Sequence, residues 1–386
     1  MRLPRNVVIL GVVSLLADIS SDMVMPLLPA FLTTLGAGAA YIGVVEGAAE
    51  ATAALLKYVS GRWADRVRRL LPLAVAGYMV AALARPFLAL AQAPWHVLAV
   101  RNVDRVGKGI RTSPRDKLLA MSTTGERLAE AFSFHRGMDH AGAAIGPLVA
   151  AGMLLLWPGE VRRVFLFAAL PGALAVLALF AVREEPVERT SLAAKPADAE
   201  PARRVPVALL GAIGLFTLGN STDALLLLRA QALGIRTALL PMLWALLHMV
   251  RAGLSWPAGL LADRLGRRAT LACGWLWYAG CYLAFAVAGA AWQMWPLFAA
   301  YGLVAALTEG TERALIADAS APESRGRALG LYNLITGAGL LLASVLAGEI
   351  WERSSPAAAL QLGAVLAVAA AAALALSRPA VQAPAL

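Results

Sequence analysis

Cysteine occurs only twice in this chain of 386 residues, and histidine only four times. Cys273 and Cys281 fall two turns apart on one apolar segment. Along a helix they cannot reach each other, so neither a disulfide framework nor a cysteine metal site is expected. Charge is scarce as well: 15% of residues are Asp, Glu, Lys or Arg, where roughly 25% is usual for soluble domains. No H-E-x-x-H, G-x-S-x-G or phosphate-binding P-loop is present. "DRVGKGIRT" (104–112) contains Gly-Lys but lacks the upstream glycine and strand of such a loop. The sequence therefore offers no metal ligands, no activated nucleophile and no phosphate cradle. Neither an enzyme nor a bound cofactor is expected.

What the chain does have is apolar length. Hydrophobic residues make up 60% of it and the mean hydropathy is +0.68. Runs of ~20 mostly apolar residues, enough to cross a bilayer core as a helix, recur throughout. Twelve spans are expected near 6–34, 39–60, 71–92, 95–117, 129–157, 162–182, 206–228, 238–259, 270–289, 292–314, 327–350 and 357–376. The basic, then apolar start runs on through Asp18 and Asp22 without a small-residue cleavage site, which reads as a retained first span. Residues 183–205, "REEPVERTSLAAKPADAEPARRV", are polar, Pro- and Ala-rich and aperiodic. They read as a mobile linker between an N-terminal bundle (1–182) and a C-terminal bundle (206–386).

The net charge of +10 invites a nucleic-acid reading, but its distribution argues against one. With the N-terminus inside, 21 Lys and Arg fall in cytosolic segments and only five, Arg162, Arg163, Arg229, Arg236 and Arg353, in outer loops. This asymmetry sets topology. Both termini are expected on the cytosolic side of the cytoplasmic (inner) membrane, with the lipid bilayer and not nucleic acid as the partner.

The halves repeat with a shift near 197 residues. "GRWADRVRRLL" (61–71) returns as "GLLADRLGRRATL" (259–271), and "ERLAEAFSFHRGMDHAG" (126–142) aligns with "ESRGRALGLYNLITGAG" (323–339). "DISSDMVMPLL" (18–28) has a weaker echo in "GNSTDALLLL" (219–228). Recurrence of all but this weak pair at one offset points to duplication. Two parallel six-helix halves form the architecture of carriers that rock around a midplane site. The expected fold class is an all-α polytopic membrane protein with twelve transmembrane helices in two pseudo-symmetric six-helix bundles.

With G-x-x-x-D-R-x-x-R-R between spans 2 and 3 and again between spans 8 and 9, the chain resembles the major facilitator superfamily over essentially its whole length. The branch it resembles is a prokaryotic one, through "TEGTERALIAD" (308–318) and "RGRALGLYN" (325–333). The second loop copy, Gly259, Asp263, Arg264, Gly266, Arg267 and Arg268, follows the family pattern closely. The first keeps Gly61, Asp65, Arg66 and Arg69 but has Arg68 where the family has glycine. The resemblance implies cytosolic gate loops whose acid pairs with a facing helix in one conformation only. The competing reading is that these arginines merely hold topology. In the fifth span, Gly142, Gly146 and Pro147 resemble the family's antiporter motif, which is associated with export. Ordinary small-residue packing is the alternative. Arg101-x-x-Asp104-Arg105-x-Gly107 resembles the family's fourth-helix motif, with Asp104 and Arg105 in place of Gln and Gly. A monomer and a small-molecule substrate are also implied.

An ionisable group at membrane centre costs ~2.5–3.5 kcal/mol on insertion scales, so each needs a partner or a task. At ~100° per residue, Arg101, Asp104, Arg105, Lys108, Thr112 and Arg115 share one side of the fourth helix, opposite Val103, Val106 and Ile110. Arg111 and Arg115 are expected at its cytosolic end, broken by Pro114. Partners lie on other helices: Asp18 and Asp22 on the first, Glu46, Glu50 and Lys57 on the second, His135, Arg136, Asp139 and His140 on the fifth. A salt-bridge network accounts for most of these charges. Asp18, Asp22, Glu50 and Asp139 are the candidates for a coupling proton. Glu46, Arg101, Asp104, Arg105, Lys108, His135 and Arg136 are candidate cavity residues, with Arg105 expected to be the cation left free for a ligand. The C-terminal half adds Asn220, Asp223, Trp244, His248, Arg251, Glu309 and Asn333. His248 occupies the repeat position of Glu50, Trp244 either lines the cavity or packs, and Glu309 is one turn from Arg313, a pair able to satisfy each other. The leading expectation is a proton-coupled antiporter exporting a small organic solute. Import or exchange of an organic anion held by the basic stripe is the second.

Overall fold

The computed structural model describes residues 3–64, 66–123, 127–184, 205–320 and 325–377. The predicted gate acid Asp65 and most of the predicted linker 183–205 lie outside the described residues. Among the described residues every regular element is helical. The first half holds the spans α1 Arg5–Thr34, α2 Ala39–Ala64, α3 Leu71–Leu90, α4 Pro94–Met121, α5 Leu128–Leu156 and α6 Val161–Leu179. The second holds α7 Val207–Ala232, α8 Leu240–Leu265, α9 Arg267–Val287, α10 Met294–Asp318, α11 Arg325–Arg353 and α12 Pro356–Leu376. Ten of these regions are long and apolar enough to cross a membrane by length and composition alone. The other two, α4 and α10, have their apolar runs diluted by polar and charged residues. Large apolar side chains such as Leu83, Phe87, Leu170, Leu177 and Val365 stand on the outer surface, as a lipid-facing belt requires.

Pro114 corrects an expectation. α4 does not break there but continues to Met121 with Pro114 buried inside it. A membrane helix tolerates the lost N–H when its neighbours hold the backbone, and here they do. Ser60 Oγ donates to the Gly109 carbonyl at 2.8 Å and Ser113 Oγ to the Lys57 carbonyl at 3.0 Å, tying α4 to α2 on either side of the proline.

Two other helices are interrupted. α1 passes through a 3-10 turn at Met25–Leu27 just after Asp22. α7 stops at Gly219 and restarts at Asp223, where the Thr222 side chain caps the new helix by accepting the Ala224 N–H at 3.2 Å. The freed backbone is satisfied from within the half: Tyr278 donates to the Gly219 carbonyl at 2.8 Å, and the Thr222 N–H reaches Ser344 Oγ at 3.1 Å.

The duplicated loops also differ. Gly266 turns between α8 and α9 at φ 88°, a conformation open to glycine and strained for other residues. Arg68 stands at the equivalent place in the first copy, and among the described residues only glycines have positive φ. The two loops therefore take different backbone paths at this point.

The halves meet unevenly. Call the end of the bundle bearing Arg5 and Leu376 the near end. At the far end, buried clusters mix the halves: Ala224 joins Leu27, Leu28, Phe31 and Leu32, Ala30 joins the core of the second half, and Ala39 packs with Leu225, Ala347 and Ala359. Gly43 lies against the Ser344 carbonyl, and a side chain on Gly348 would meet Ala40 Cα at 2.6 Å. Near-end clusters stay within one half, around Val7, Tyr78 and Leu119 or around Ala258 and Leu307. The α2–α11 contact loosens toward that end, to 3.5 Å between the Gly330 position and the Tyr58 ring. The buried clusters that mix the halves are thus concentrated at the far end.

Candidate functional site

The polar stripe of α4 is divided by its partners. Arg101 grips Glu46 with two hydrogen bonds, 2.8 Å from Nε and 2.7 Å from Nη2, and reaches Asp104 at 3.3 Å. Asp104 also accepts from Arg85 Nε at 2.8 Å, and Arg85 Nη1 donates to Ser20 Oγ at 2.6 Å. All five of these side chains are buried. Such a cluster is costly to desolvate but closed to further partners once formed. Glu46, Arg101 and Asp104, candidate cavity residues in the sequence, thus sit inside the first half as a mutual lock. Arg85 completes it and was missed. Its signal was a lone arginine in the apolar run "VAALARPFLAL" (80–90).

Arg105 is not the free cation that the sequence suggested: its Nε stands 3.3 Å from Glu50 Oε1 and 4.0 Å from Asp104. The reason is register, since α2 and α4 pack parallel, with Glu46 beside Arg101 and Lys57 beside Ser113, and bring the second acid of α2 opposite the second arginine of α4. Lys108 takes the free role. Among the described residues its ammonium has no hydrogen bond or ion pair, and its charged neighbours are Arg105, Glu50, Lys57 and Asp18. Arg111 is not at an open helix end either: it is buried, with its guanidinium 4.1 Å over the Tyr78 ring. Arg115 pairs with Asp116 at 2.8 Å and donates to Ser14 at 3.3 Å.

On α5, Asp139 accepts from Ser14 Oγ, lies 3.5 Å from His135 Nδ1 and 3.8 Å from the exposed Arg136. Gly142 and Gly146 face α1. A Cβ on Gly142 would meet the Leu15 carbonyl at 2.5 Å and Asp18 Cβ at 2.9 Å, and one on Gly146 the Ile19 carbonyl at 2.5 Å. Pro147 is buried in the same helix, one residue past Gly146. The antiporter-like motif is thus the close-packing surface between α5 and the helix bearing Asp18 and Asp22.

The second half has its own anchor. Asp223, first residue of the restarted α7, accepts from Tyr301 at 2.7 Å and from Arg251 Nη2 at 3.0 Å. Tyr278 and Tyr282 stack beside it with ring centroids 4.0 Å apart. These tyrosines were not foreseen; their Tyr278/Tyr282 helical spacing was the available hint. Glu312 is buried and accepts from Trp275 Nε1 at 3.2 Å and Tyr332 at 2.8 Å. Glu309 and Arg313, expected to satisfy each other, form no ion pair among the described residues; both are exposed. Asn220 and Asn333 are half-buried.

Between the halves, Trp244 Nε1 donates to Asp22 Oδ1 at 2.9 Å. Trp244 therefore faces the seam with its polar edge while its body is buried. The His248 ring lies 5.0 Å from that of Trp244, and both its nitrogens are shielded without a hydrogen-bond partner. Asp18 likewise makes no hydrogen bond or ion pair among the described residues; Asp139, Asp22, Arg111 and Lys108 are its charged neighbours. The gate loops sit apart at the near end. Gly61 is in ordinary contact with Ser113 at 3.6 Å, Gly259 is unobstructed, Arg66, Arg69 and Arg264 are exposed, and Arg267 pairs with Asp318. Asp263 lies in the last turns of α8.

Two six-helix halves, interrupted first and seventh helices and a polar seam between the halves describe a carrier. The family model of the Major Facilitator Superfamily matches residues 10–256 and 248–386. The chain belongs to the major facilitator superfamily. It is 32% identical to an uncharacterized MFS-type transporter of Methanocaldococcus jannaschii over 95% of this chain and 93% of that one. Among solved structures, a peptide transporter of the POT family superposes with TM-score 0.80 at 12% identity, covering 96% of this chain and 93% of that one. A bacterial homolog of the human lysosomal transporter Spinster, inward-facing and unoccupied, superposes with TM-score 0.71 at 17% identity, covering 96% and 94%. As a superfamily member this chain is a membrane-embedded secondary transporter that works by alternating access, and not an enzyme.

Proposed function

We propose that this carrier couples proton movement to the export of a small organic solute across the cytoplasmic membrane, as a monomer with both termini in the cytosol. In that topology the near end opens to the cytosol and the sealed far end is the outer gate. The loops at Asp65 and Asp263 are then cytosolic gates, and residues 183–205 let the halves rock.

The observation that carries the coupling is the state of the acids on α1. Asp18 has no bonded partner among the described residues, and the Asp22 bond crosses to the other half through Trp244. Rocking must break that bond, so the surroundings of Asp22 change with conformation. A carboxylate whose partners and solvation change between two states differs in proton affinity between them, which is the physical requirement for coupling. Glu50 and Asp139 hold partners within their own half and rank below Asp18 and Asp22 on this ground. Export rests on the resemblance of Gly142, Gly146 and Pro147 to the family's antiporter motif, a surface that here packs α5 onto α1.

The test is flux in proteoliposomes. A panel of labelled organic solutes is screened with and without an imposed pH gradient, and the gradient should drive counterflow of at least one. Asp22→Asn should abolish gradient-driven flux while the purified protein remains folded. Flux indifferent to the gradient would falsify proton coupling. Anion exchange is the second reading, favoured by the unpaired nitrogens of Lys108 and His248.

A further inference from the structure

The seam between the halves has an imbalance of hydrogen-bonding groups. Most of its carboxylates are engaged: Glu46 and Asp104 in the buried lock, Glu50 with Arg105, Asp139 with Ser14 and His135, Asp22 with Trp244, Asp223 with Tyr301 and Arg251. Nitrogens are left over. His248 Nδ1 and Nε2 and Arg251 Nε are shielded and without a hydrogen-bond partner, and among the described residues the Lys108 ammonium has none either. An ammonium carries three donors, and a neutral imidazole one donor and one acceptor. Shielded polar atoms left unsatisfied cost about 1–3 kcal/mol each, so an occupant that satisfies them gains correspondingly.

Charge points the same way. The charged and titratable groups facing His248 are Arg251, His140 and Lys108, with no carboxylate among them. Lys108, from α4, is faced by Arg105, Glu50, Lys57 and Asp18. Beside His248, the Trp244 ring offers an apolar wall 5.0 Å away between centroids. A cationic head at this place would meet cations. A neutral one could pair the donors but would leave the ammonium charge uncompensated.

We propose that His248 and Lys108, from opposite halves, together hold the anionic head of the transported solute, so that the substrate class is an organic carboxylate or phosphonate. This rests on the transport reading above. It assigns the ligand-reading role to a residue of the second half, at the repeat position of Glu50, in addition to the α4 stripe. Because the two groups lie on different halves, an anion between them draws the halves together at mid-depth. Substrate would then favour the closed intermediate through which both gates must pass.

The test uses the full-length protein in detergent and four probes of one size and different heads: benzoate, phenylphosphonate, benzamide and benzylamine. Binding is read as the shift in thermal unfolding midpoint over a titration. Benzoate or phenylphosphonate should half-saturate the shift at about tenfold lower concentration than benzamide, a difference of about 1.4 kcal/mol. Benzylamine should give no shift. His248→Phe keeps ring and volume, and Lys108→Met keeps length; each should erase the anion's advantage and leave the weak benzamide shift in place. Equal binding of benzoate and benzamide, preference for benzylamine, or no anion shift at all overturns the proposal. So does an anion preference that survives both substitutions. If a variant is not recovered folded, the ranking of the four probes on the wild-type protein decides. Binding of benzoate without gradient-driven flux would uphold the anion site and sink the coupling claim. Flux of a cationic solute would do the reverse.

Discussion

Arg101 shows how a single side chain can be fixed by chemistry and still be misread for function. A guanidinium at membrane depth must be paired, and it is, by two bonds to Glu46 and one to Asp104. Truncation to alanine would leave Glu46 buried and unpaired, an expected loss of about 3–5 kcal/mol. Arg101→Ala should therefore melt well below wild type in a thermal unfolding assay. The double replacement Arg101→Met with Glu46→Gln should recover part of that loss. A melting point unchanged by Arg101→Ala would mean that the pair is not closed in the membrane. Gly146 makes a second test at this scale. A methyl there would sit 2.5 Å from the Ile19 carbonyl, whereas Gly137 on the same helix has nothing within 4 Å. Gly146→Ala should cost about 1–3 kcal/mol through overpacking, and Gly137→Ala should be neutral or stabilising. Equal effects of the two would remove the α1–α5 contact from the account.

Among the elements, the interrupted α7 is the informative one. Restarting a helix in the membrane frees backbone groups that water cannot satisfy, and the Tyr278 hydroxyl takes the Gly219 carbonyl at 2.8 Å. Tyr278→Phe should destabilise by about 1–3 kcal/mol, measured against Tyr41→Phe, which touches none of the break. A loss no larger than that control would argue that the carbonyl finds another donor. Helix α4 carries the complementary lesson. Its polar face was legible from a 100° repeat, because Arg101, Asp104, Arg105 and Lys108 fall on one side whatever surrounds them. Which of them stays unpaired was not legible, since that depends on the register of α2 and on Arg85 from α3. Pro114 was misread for the same reason: local rules count the missing N–H, while the bonds of Ser60 and Ser113 that hold the helix on either side of the proline come from packing.

At the scale of the molecule, two hydrogen bonds join the halves among the described residues, and neither lies near the termini. Trp244 donates to Asp22, and the Ala40 N–H, at the start of α2, donates to Glu352 Oε1 at 3.0 Å. Both must break for the far end to open. Trp244→Phe and Glu352→Ala each remove one such contact from the state seen here and nothing from a far-open state, so each should shift the population toward far-open. Loss of a typical hydrogen bond, about 0.5–1.5 kcal/mol, corresponds to a two- to tenfold change in the ratio. Distance distributions between spin labels on the far ends of α2 and α11 should record that increase. Unchanged distributions in both variants would show that apolar packing at Gly43 and Gly348 alone holds the gate.

The sequence by itself determined the class, the twelve spans, the duplicated halves and the family, because each of these rests on periodicity, composition or spacing along one chain. The apolar content, the 197-residue repeat and the paired G-x-x-x-D-R loops need no partner to be read. Tertiary structure alone decided that Arg105 is occupied and Lys108 is not, that Asp22 is tied to the opposite half through Trp244, and that His248 is left with two unsatisfied nitrogens. Those outcomes depend on which side chain of another helix arrives within about 3 Å, the reach of a hydrogen bond. A change of register between two helices exchanges the partners while leaving every local pattern intact.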